Sequence, residues 1–259
     1  GLYYRPITDN SLELSYVGKV GTGTTIYQGL NRYNIDGFFQ QQHKLEVRHD
    51  NFFVRGYVVA DKAGDSYDMV FTGININRAW KPDPTWFGQY VGAYVQTTLG
   101  GGTDEQAHAA GRATAESGRF EPGSPQFISA FNKSINDPDL ATGSKFQDAS
   151  KYYHADANYN FSHLIDFADI QVGGSYRRYS LNSFGTIYTD FDGPIDYSEF
   201  GVYTQLQKAM DLSESMNLKL TGSVRYDKSE FFDGFFSPRL SAGLTVNRNH
   251  NIRASVQTA

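Results

Sequence analysis

Asn217-Leu-Lys-Leu-Thr-Gly-Ser-Val-Arg-Tyr-Asp227 is the stretch on which the reading of this chain turns. On an extended backbone, Leu218, Leu220, Gly222, Val224 and Tyr226 fall on one face. Lys219, Thr221, Ser223, Arg225 and Asp227 fall on the other. Alternation over eleven residues outlasts the soluble strand, which commonly runs about 5–6 residues. A strand of about 9–11 residues, tilted by about 45°, crosses the hydrocarbon of a bilayer. The expected fold is therefore all-β, an antiparallel transmembrane β-barrel segment.

The same alternation returns along the chain. Leu240, Ala242, Leu244 and Val246 alternate with Arg239, Ser241 and Thr245, and Ile252, Ala254 and Val256 with Arg253, Ser255 and Gln257. Tyr153, Ala155, Ala157 and Tyr159 oppose Tyr152, His154, Asp156 and Asn158. Earlier runs set Leu12, Leu14 and Tyr16 against Glu13 and Ser15, and His43, Leu45 and Val47 against Lys44, Glu46 and Arg48. Phe52, Val54, Gly56 and Val58 face away from Phe53, Arg55 and Tyr57. Ile170, Val172, Gly174 and Tyr176 oppose Gln171, Ser175 and Arg177, and Phe200, Val202 and Leu206 oppose Gln205 and Gln207. With a short segment at Leu2–Pro6, the pattern predicts about ten strands. A soluble β-sandwich binding protein also alternates, but mixed charges at regular positions suit a wide, wet lumen with cross-strand pairs.

Composition agrees. The 259 residues carry a net charge of −5 and no cysteine, which leaves no disulfide scaffold and no thiolate metal site. Mild acidity argues against a nucleic-acid partner, which would call for a clustered basic face. No run approaches the ~18 apolar residues of a membrane helix. A mean hydropathy of −0.49 is compatible with a barrel, because only alternate residues face lipid. Tyr (18) and Phe (19), with only 2 Trp, stand at a level that suits long strands carrying aromatic girdles. The chain starts at Gly1 without a signal-peptide pattern and stops at Ala259 inside an alternating run, so both ends read as cut.

Two classes of connection are expected. Tight ones are Thr8–Asn10, His49–Asn51, Leu164–Ala168, Asp211–Met216 and Asn247–His250. Long ones are Gly21–Gly37, Phe184–Tyr197 and a large segment before Ser150. Barrels place short turns in the periplasm and long loops outside. Parity then allows only one outer loop, or an even number of extra strands, between the tight turns at 49–51 and 164–168, and a single strand over Ser66–Trp80 would break it. Residues 1–62 and 150–259 are thus expected to be barrel hairpins, and 63–149 a helical extracellular insertion. Tyr67, Val70, Phe71, Ile74 and Arg78 recur at helical spacing over Ser66–Trp80, with Ser66 or Asp65 as cap. Thr85–Leu99 carries Trp86, Phe87, Tyr90, Val91, Tyr94 and Val95 and ends at Gly100–Gly102. Thr103 with Gln106 makes a capping box for Asp104–Ser117, and Ser124-Pro125 opens Pro125–Asn136.

Several runs resemble TonB-dependent receptors, particularly the large group in gut and environmental Gram-negative bacteria with a carboxypeptidase-regulatory-like domain upstream. They are Thr25-Ile-Tyr-Gln-Gly29 with Asn31-Arg-Tyr33, Gln41-Gln-His-Lys-Leu-Glu46, Asn51-Phe-Phe-Val-Arg-Gly56, Ala63-Gly-Asp-Ser-Tyr67, and Phe236-Ser-Pro-Arg-Leu240 leading to Asn251-Ile-Arg-Ala-Ser255. The resemblance implies a barrel of about 22 strands with a plugged lumen, of which this chain would be under half. It places the plug domain and the TonB-engaging motif upstream of Gly1. It implies an outer-membrane receptor of a Gram-negative bacterium that actively imports a scarce iron chelate, vitamin or glycan, with lipid and the TonB complex as partners. A passive porin is the alternative transport reading.

No catalytic constellation stands out. There is no HExxH and no GxSxG, and Gly21-Thr-Gly23 lacks the third glycine and the helix of a phosphate loop. His154 and His163, nine apart, form no metal motif by spacing. No catalytic residue, metal ligand or cofactor is nominated, and an outer-membrane barrel enzyme has no residue to name. Ligand capture by loops is expected instead, at Tyr27, Asn31, Arg32 and Tyr33 in the first long loop, Trp80 and Trp86 in the insertion, and Tyr188 in the later loop. Arg, Tyr and Gln would suit the oxygens of an iron chelate, whereas Trp and Tyr would stack on a glycan.

Overall fold

The computed structural model describes residues 1–247 and 249–258. A single antiparallel sheet runs through it in the order β1 (Leu2–Tyr4), β2 (Leu12–Gln28), β3 (Arg32–His49), β4 (Phe52–Lys62), β6 (Lys151–Asn160), β7 (Asp169–Leu181), β8 (Ile195–Ser213), β9 (Met216–Ser229), β10 (Phe235–Val246) and β11 (His250–Gln257). A two-residue strand, β5 (Tyr67–Asp68), pairs with β3 off this path. Between β4 and β6 lie four helices, α1 (Met69–Trp80), α2 (Asp83–Leu99), α3 (Asp104–Ala115) and α4 (Pro125–Asn136). None is long and apolar enough to cross a membrane. Among the described residues β1 and β11 do not pair with each other, so the sheet is not closed within this chain.

Register carries the two-faced pattern across the whole sheet. Tyr4 pairs with Leu14, Leu14 with Val47, Val47 with Val54, Val54 with Ala157, and Ala157 with Gly174. The row continues through Val202, Tyr226 and Phe236. Directly paired residues share a face, and Leu244 pairs with Ile252, so one largely apolar surface extends from β1 to β11. It is uncovered: Leu45 is 66% exposed, Val202 52% and Ile252 63%. A sandwich would bury these rows under a second sheet, and that reading fails here. Buried apolar side chains among the described residues are five, Ala63, Ile76, Ala107, Ala115 and Ala168, and three of them sit in the helices. Burial against protein is not what organises the sheet.

The expected connections needed correction in four places. Gly21–Gly37 is not a loop: β2 and β3 stay paired to Gln28 and Arg32 across a bulge at Gly23/Thr25, leaving Gly29–Asn31 as the turn. The β-branched Thr22, Thr25 and Ile26 favour extension, and β5 supports the far end by pairing Tyr33 with Asp68 and Asn34 with Tyr67. Gly64 permits that contact, since its φ is +69° and it packs against the backbone of Asp36 and Gly37, where a Cβ would clash.

The second correction follows from the first. With residues 67–68 taken into the sheet, α1 starts later than expected and Asp68, not Ser66 or Asp65, caps it, accepting from the Val70 and Phe71 N–H groups. Ser66 instead accepts from the Asp36 N–H and donates to the Ala63 carbonyl. The turn predicted over 211–216 shrinks to Glu214-Ser215, because β8 runs to Ser213. The loop predicted over 184–197 becomes 182–194. At the 247–250 turn, Arg248 lies outside the described residues, as does Ala259.

Three helix ends follow local chemistry. Thr103 and Gln106 form the reciprocal capping box of α3, Ser124 caps α4 ahead of Pro125, and Gly100 closes α2.

Candidate functional site

The second face of the sheet is polar, and its charges lie in cross-strand rows. Ser15, Glu46, Arg55, Asp156, Ser175, Gly201 and Asp227 follow one another by direct pairing from β2 to β9. Lys44 Nζ stands 2.8 Å and Arg48 Nη2 2.9 Å from the Glu46 carboxylate, which is buried. Arg55 Nε lies 2.7 Å from Asp156, with His154 3.2 Å from the same carboxylate. Arg177 meets Glu199 at 2.8 Å and Arg225 meets Asp227 at 2.7 Å. Arg55–Asp156 and Arg177–Glu199 thus join neighbouring strands, while Lys44, Glu46 and Arg48, and Arg225 with Asp227, pair along a single strand, and the face holds opposite charges at contact distance, as suits a hydrated surface.

Toward the helical and long-loop end of this face, five rings form a continuous ladder. Centroids separate by 5.7 Å from Tyr57 to Tyr152, 5.0 Å to Tyr179, 4.5 Å to Tyr197 and 4.9 Å to Phe231. Sequence reasoning put Tyr57 and Tyr152 on the polar face but nominated none of the five as ligand contacts. Parity was the available signal, since Tyr152, Tyr179 and Tyr197 each sit out of phase with the aliphatic row.

The nominated residues separate into three groups. Tyr27 stacks on Tyr33 across the β2–β3 tip at 6.1 Å, Asn31 Nδ2 donates to the Tyr33 hydroxyl at 2.9 Å, and Tyr33 leans on Phe146 at 5.4 Å. Arg32 pairs with Gln28 through the backbone and is exposed. Tyr188 lies apart, in the loop after β7, its N–H donating to Ser183 Oγ. The two loops meet through adjacent residues: Phe146 carries Tyr33, and Gln147 exchanges hydrogen bonds with the Thr186 hydroxyl.

That later loop is latched by Asp190. Its buried carboxylate accepts from the Ser183 hydroxyl at 2.6 Å, the Gly185 N–H at 2.8 Å, the Phe184 N–H at 2.9 Å and the Ser183 N–H. Burial pushes the Asp190 carboxyl up; the Ser183 hydroxyl and the Gly185 and Ser183 N–H groups outweigh it and lower the pKa to about 2.

Trp80 and Trp86 do come together, in a cleft of about 260 Å³ with Lys81, Glu116 and Arg119. Trp86 stacks on Tyr90 at 5.3 Å, and Lys81 Nζ lies 4.5 Å above the Trp80 ring. Asn77, Glu116 and Arg119 also line a larger cavity of about 560 Å³, walled by Tyr67, Ile76, Phe120, Phe127 and Phe131. The two recesses share Asn77, Glu116 and Arg119 as a common polar wall, with aromatic side chains on either side of it. The size and lining are those of a small-molecule pocket. A further recess of about 640 Å³, between β1 and the small residues Gly56 and Ala155, opens on the aliphatic face, walled mainly by Leu2, Leu14, Leu45, Val47 and Val54.

Among the described residues no group of three His, Asp or Glu side chains is placed to hold a metal ion. The profile of the family described as TonB dependent receptor-like, beta-barrel matches residues 1–259. No curated protein matches the chain.

Proposed function

This chain belongs to the TonB-dependent receptor-like β-barrel family, and on that premise we propose that it forms the wall and outer insertion of an active importer in a Gram-negative outer membrane. The family is one of outer-membrane receptors and transporters, not an enzyme class. The observation that carries the reading is the two-faced sheet: an uncovered aliphatic row on one side and a belt of paired charges on the other. Residues 1–62 and 150–259 supply membrane-spanning hairpins, and 63–149 stand outside the cell. In the receptor group with a carboxypeptidase-regulatory-like domain upstream, TonB would be engaged by a part of the protein that precedes this wall.

The ligand is a scarce solute, an iron chelate, a vitamin or a glycan, captured by the insertion cleft, the Tyr27–Tyr33 tip and the tyrosine ladder. Aromatic walls with a few charged groups between them supply apolar contact area together with orientation. The test is energised accumulation of three radiolabelled probes, ferric citrate, cobalamin and a maltooligosaccharide, by cells expressing the full-length protein. One of them should accumulate in a host with TonB and not in a host without it. Equal accumulation in both hosts returns the protein to the porins.

A further inference from the structure

Gly73 sits in the interior of α1, where a glycine weakens a helix relative to alanine. A Cβ added there would meet nothing within 4 Å, so no neighbouring atom in the fold demands the residue. Gly88 and Gly92 of α2 are equally open but line neither recess of the insertion, whereas Gly73 lies in the wall of the cavity of about 560 Å³. Around that bare stretch of helix stand rings from three parts of the chain: Phe127 and Phe131, one turn apart on α4, Phe120 after α3, and Tyr67 of β5. Tyr67 meets Phe131 edge to face at 5.8 Å, and β5 holds Tyr67 by pairing it with Asn34. On the wall shared with the tryptophan recess, Asn77, Glu116 and Arg119 bring together an amide, a carboxylate and a guanidinium. All of these residues belong to the insertion, away from the terminal strands β1 and β11.

We propose that this cavity is the seat of a flat, fused heteroaromatic solute, its ring laid on the backbone at Gly73 and its polar edge read by Asn77, Glu116 and Arg119. The inference rests on the importer reading above and narrows what the insertion takes. Glycine lets a ligand approach the backbone closely, and here the missing Cβ leaves room for a ring face against the helix. A donor fork, an acceptor and an amide on one wall match a ring edge that alternates carbonyl and N–H groups. A glycan is disfavoured, because hydroxyls set against Ile76, Phe127 and Phe131 would go unbonded. The Thr72 hydroxyl is already committed to the Asp68 carbonyl and to Ser144. An anionic ferric chelate is opposed by Glu116 and Glu121, which outnumber Arg119 around this cavity. Volume sets the upper bound: the space holds two or three fused rings with a short tail, not a corrin with its side arms.

Riboflavin and the bicyclic lumazine are the probes, titrated against the purified full-length protein in detergent, with quenching of their own fluorescence as the readout. Both should bind saturably, and excess maltotriose or ferric citrate should not displace them. Gly73→Leu fills the seat with a residue that favours helix. It should leave thermal unfolding unchanged or raised while weakening binding by about tenfold or more. Gly73→Ala should move binding in the same direction and serves if the leucine disturbs folding. Asn77→Leu makes the wall more apolar, yet should weaken binding by about tenfold because the amide is lost. Four results each overturn the inference: neither probe binds, sugar or chelate displaces them, both changes at Gly73 leave binding intact, or Asn77→Leu does not weaken it. Accumulation in a host with TonB is scored separately. A protein that imports ferric citrate, cobalamin or the maltooligosaccharide and binds neither ring remains an importer without this site. One that binds the rings and accumulates nothing through TonB keeps the site and loses the importer.

Discussion

Arg55 Nε donates to Asp156 Oδ1 at 2.7 Å although 101 residues separate them in the chain. The four-helix insertion departs from β4 and returns to β6 without disturbing the register between them, which holds from Phe52↔Tyr159 to Ala60↔Lys151. The excursion closes on itself: the Asp61 N–H bonds the Ser150 carbonyl and the Ala63 N–H the Asp148 carbonyl. An insertion with adjacent ends costs the hairpin little more than a longer loop would.

Removing residues 63–149 from the full-length protein and bridging the ends with a short turn should leave an inserted barrel. The measure is heat-modifiable gel mobility of the outer-membrane fraction. The β2–β3 tip should loosen, because β5 and Ser66 leave with the insertion. Failure to insert would mean that the helices support the wall itself.

The two faces should respond oppositely to one added charge. Val202→Arg on the aliphatic row is expected to cost about 2–4 kcal/mol near the bilayer midplane. Gln205→Arg, on the polar face of the same strand, should cost far less. Reversible unfolding titrations in lipid vesicles give both numbers, and equal penalties would overturn the assignment of faces.

Breaking the Arg55–Asp156 pair has a smaller effect. Arg55 is partly exposed while Asp156 is mostly covered, so solvent screens the attraction and Arg55→Ala should cost about 1 kcal/mol or less. Asp156 keeps His154 at 3.2 Å, which limits the loss further. The same unfolding titration measures it, and a cost of several kcal/mol would mean that the lumen is far drier than the exposure implies.

Asp190→Asn should release the loop at 182–194. The amide replaces one acceptor oxygen by a donor that faces the Ser183, Phe184 and Gly185 N–H groups, at a cost of about 1–3 kcal/mol. Because the folded pKa of about 2 lies below the unfolded value, the carboxylate's contribution is complete above about pH 4 and is lost as pH falls toward 2. Amide exchange at 183–185 should therefore be slow and flat from neutral pH down to about 4 in the parent, once the intrinsic rate is divided out. In the Asp190→Asn variant it should be fast throughout. Exchange unchanged by the substitution would show that the Thr186–Gln147 bonds alone hold the loop.

Much of this molecule is local and was therefore legible in order along the chain. Side-chain parity is a property of each strand by itself, so Leu218 to Tyr226 and Lys219 to Asp227 declare two surroundings before any partner strand is known. Caps are equally local, and Thr103 with Gln106 and Ser124 with Pro125 place two helices without reference to the sheet. Contacts between distant segments left no such mark. Whether Tyr27 and Tyr33 sit on a loop or a paired hairpin depends on Tyr67-Asp68 arriving as a third strand. The tyrosine ladder exists because four strands and one loop align Tyr57, Tyr152, Tyr179, Tyr197 and Phe231 at one height. Cations are likewise alike in the sequence: Arg55 and Arg239 occupy the same phase of the same alternation, and only register, which sets what stands about 5 Å away on the next strand, puts Asp156 beside the first and Ser223 and Gln257 beside the second.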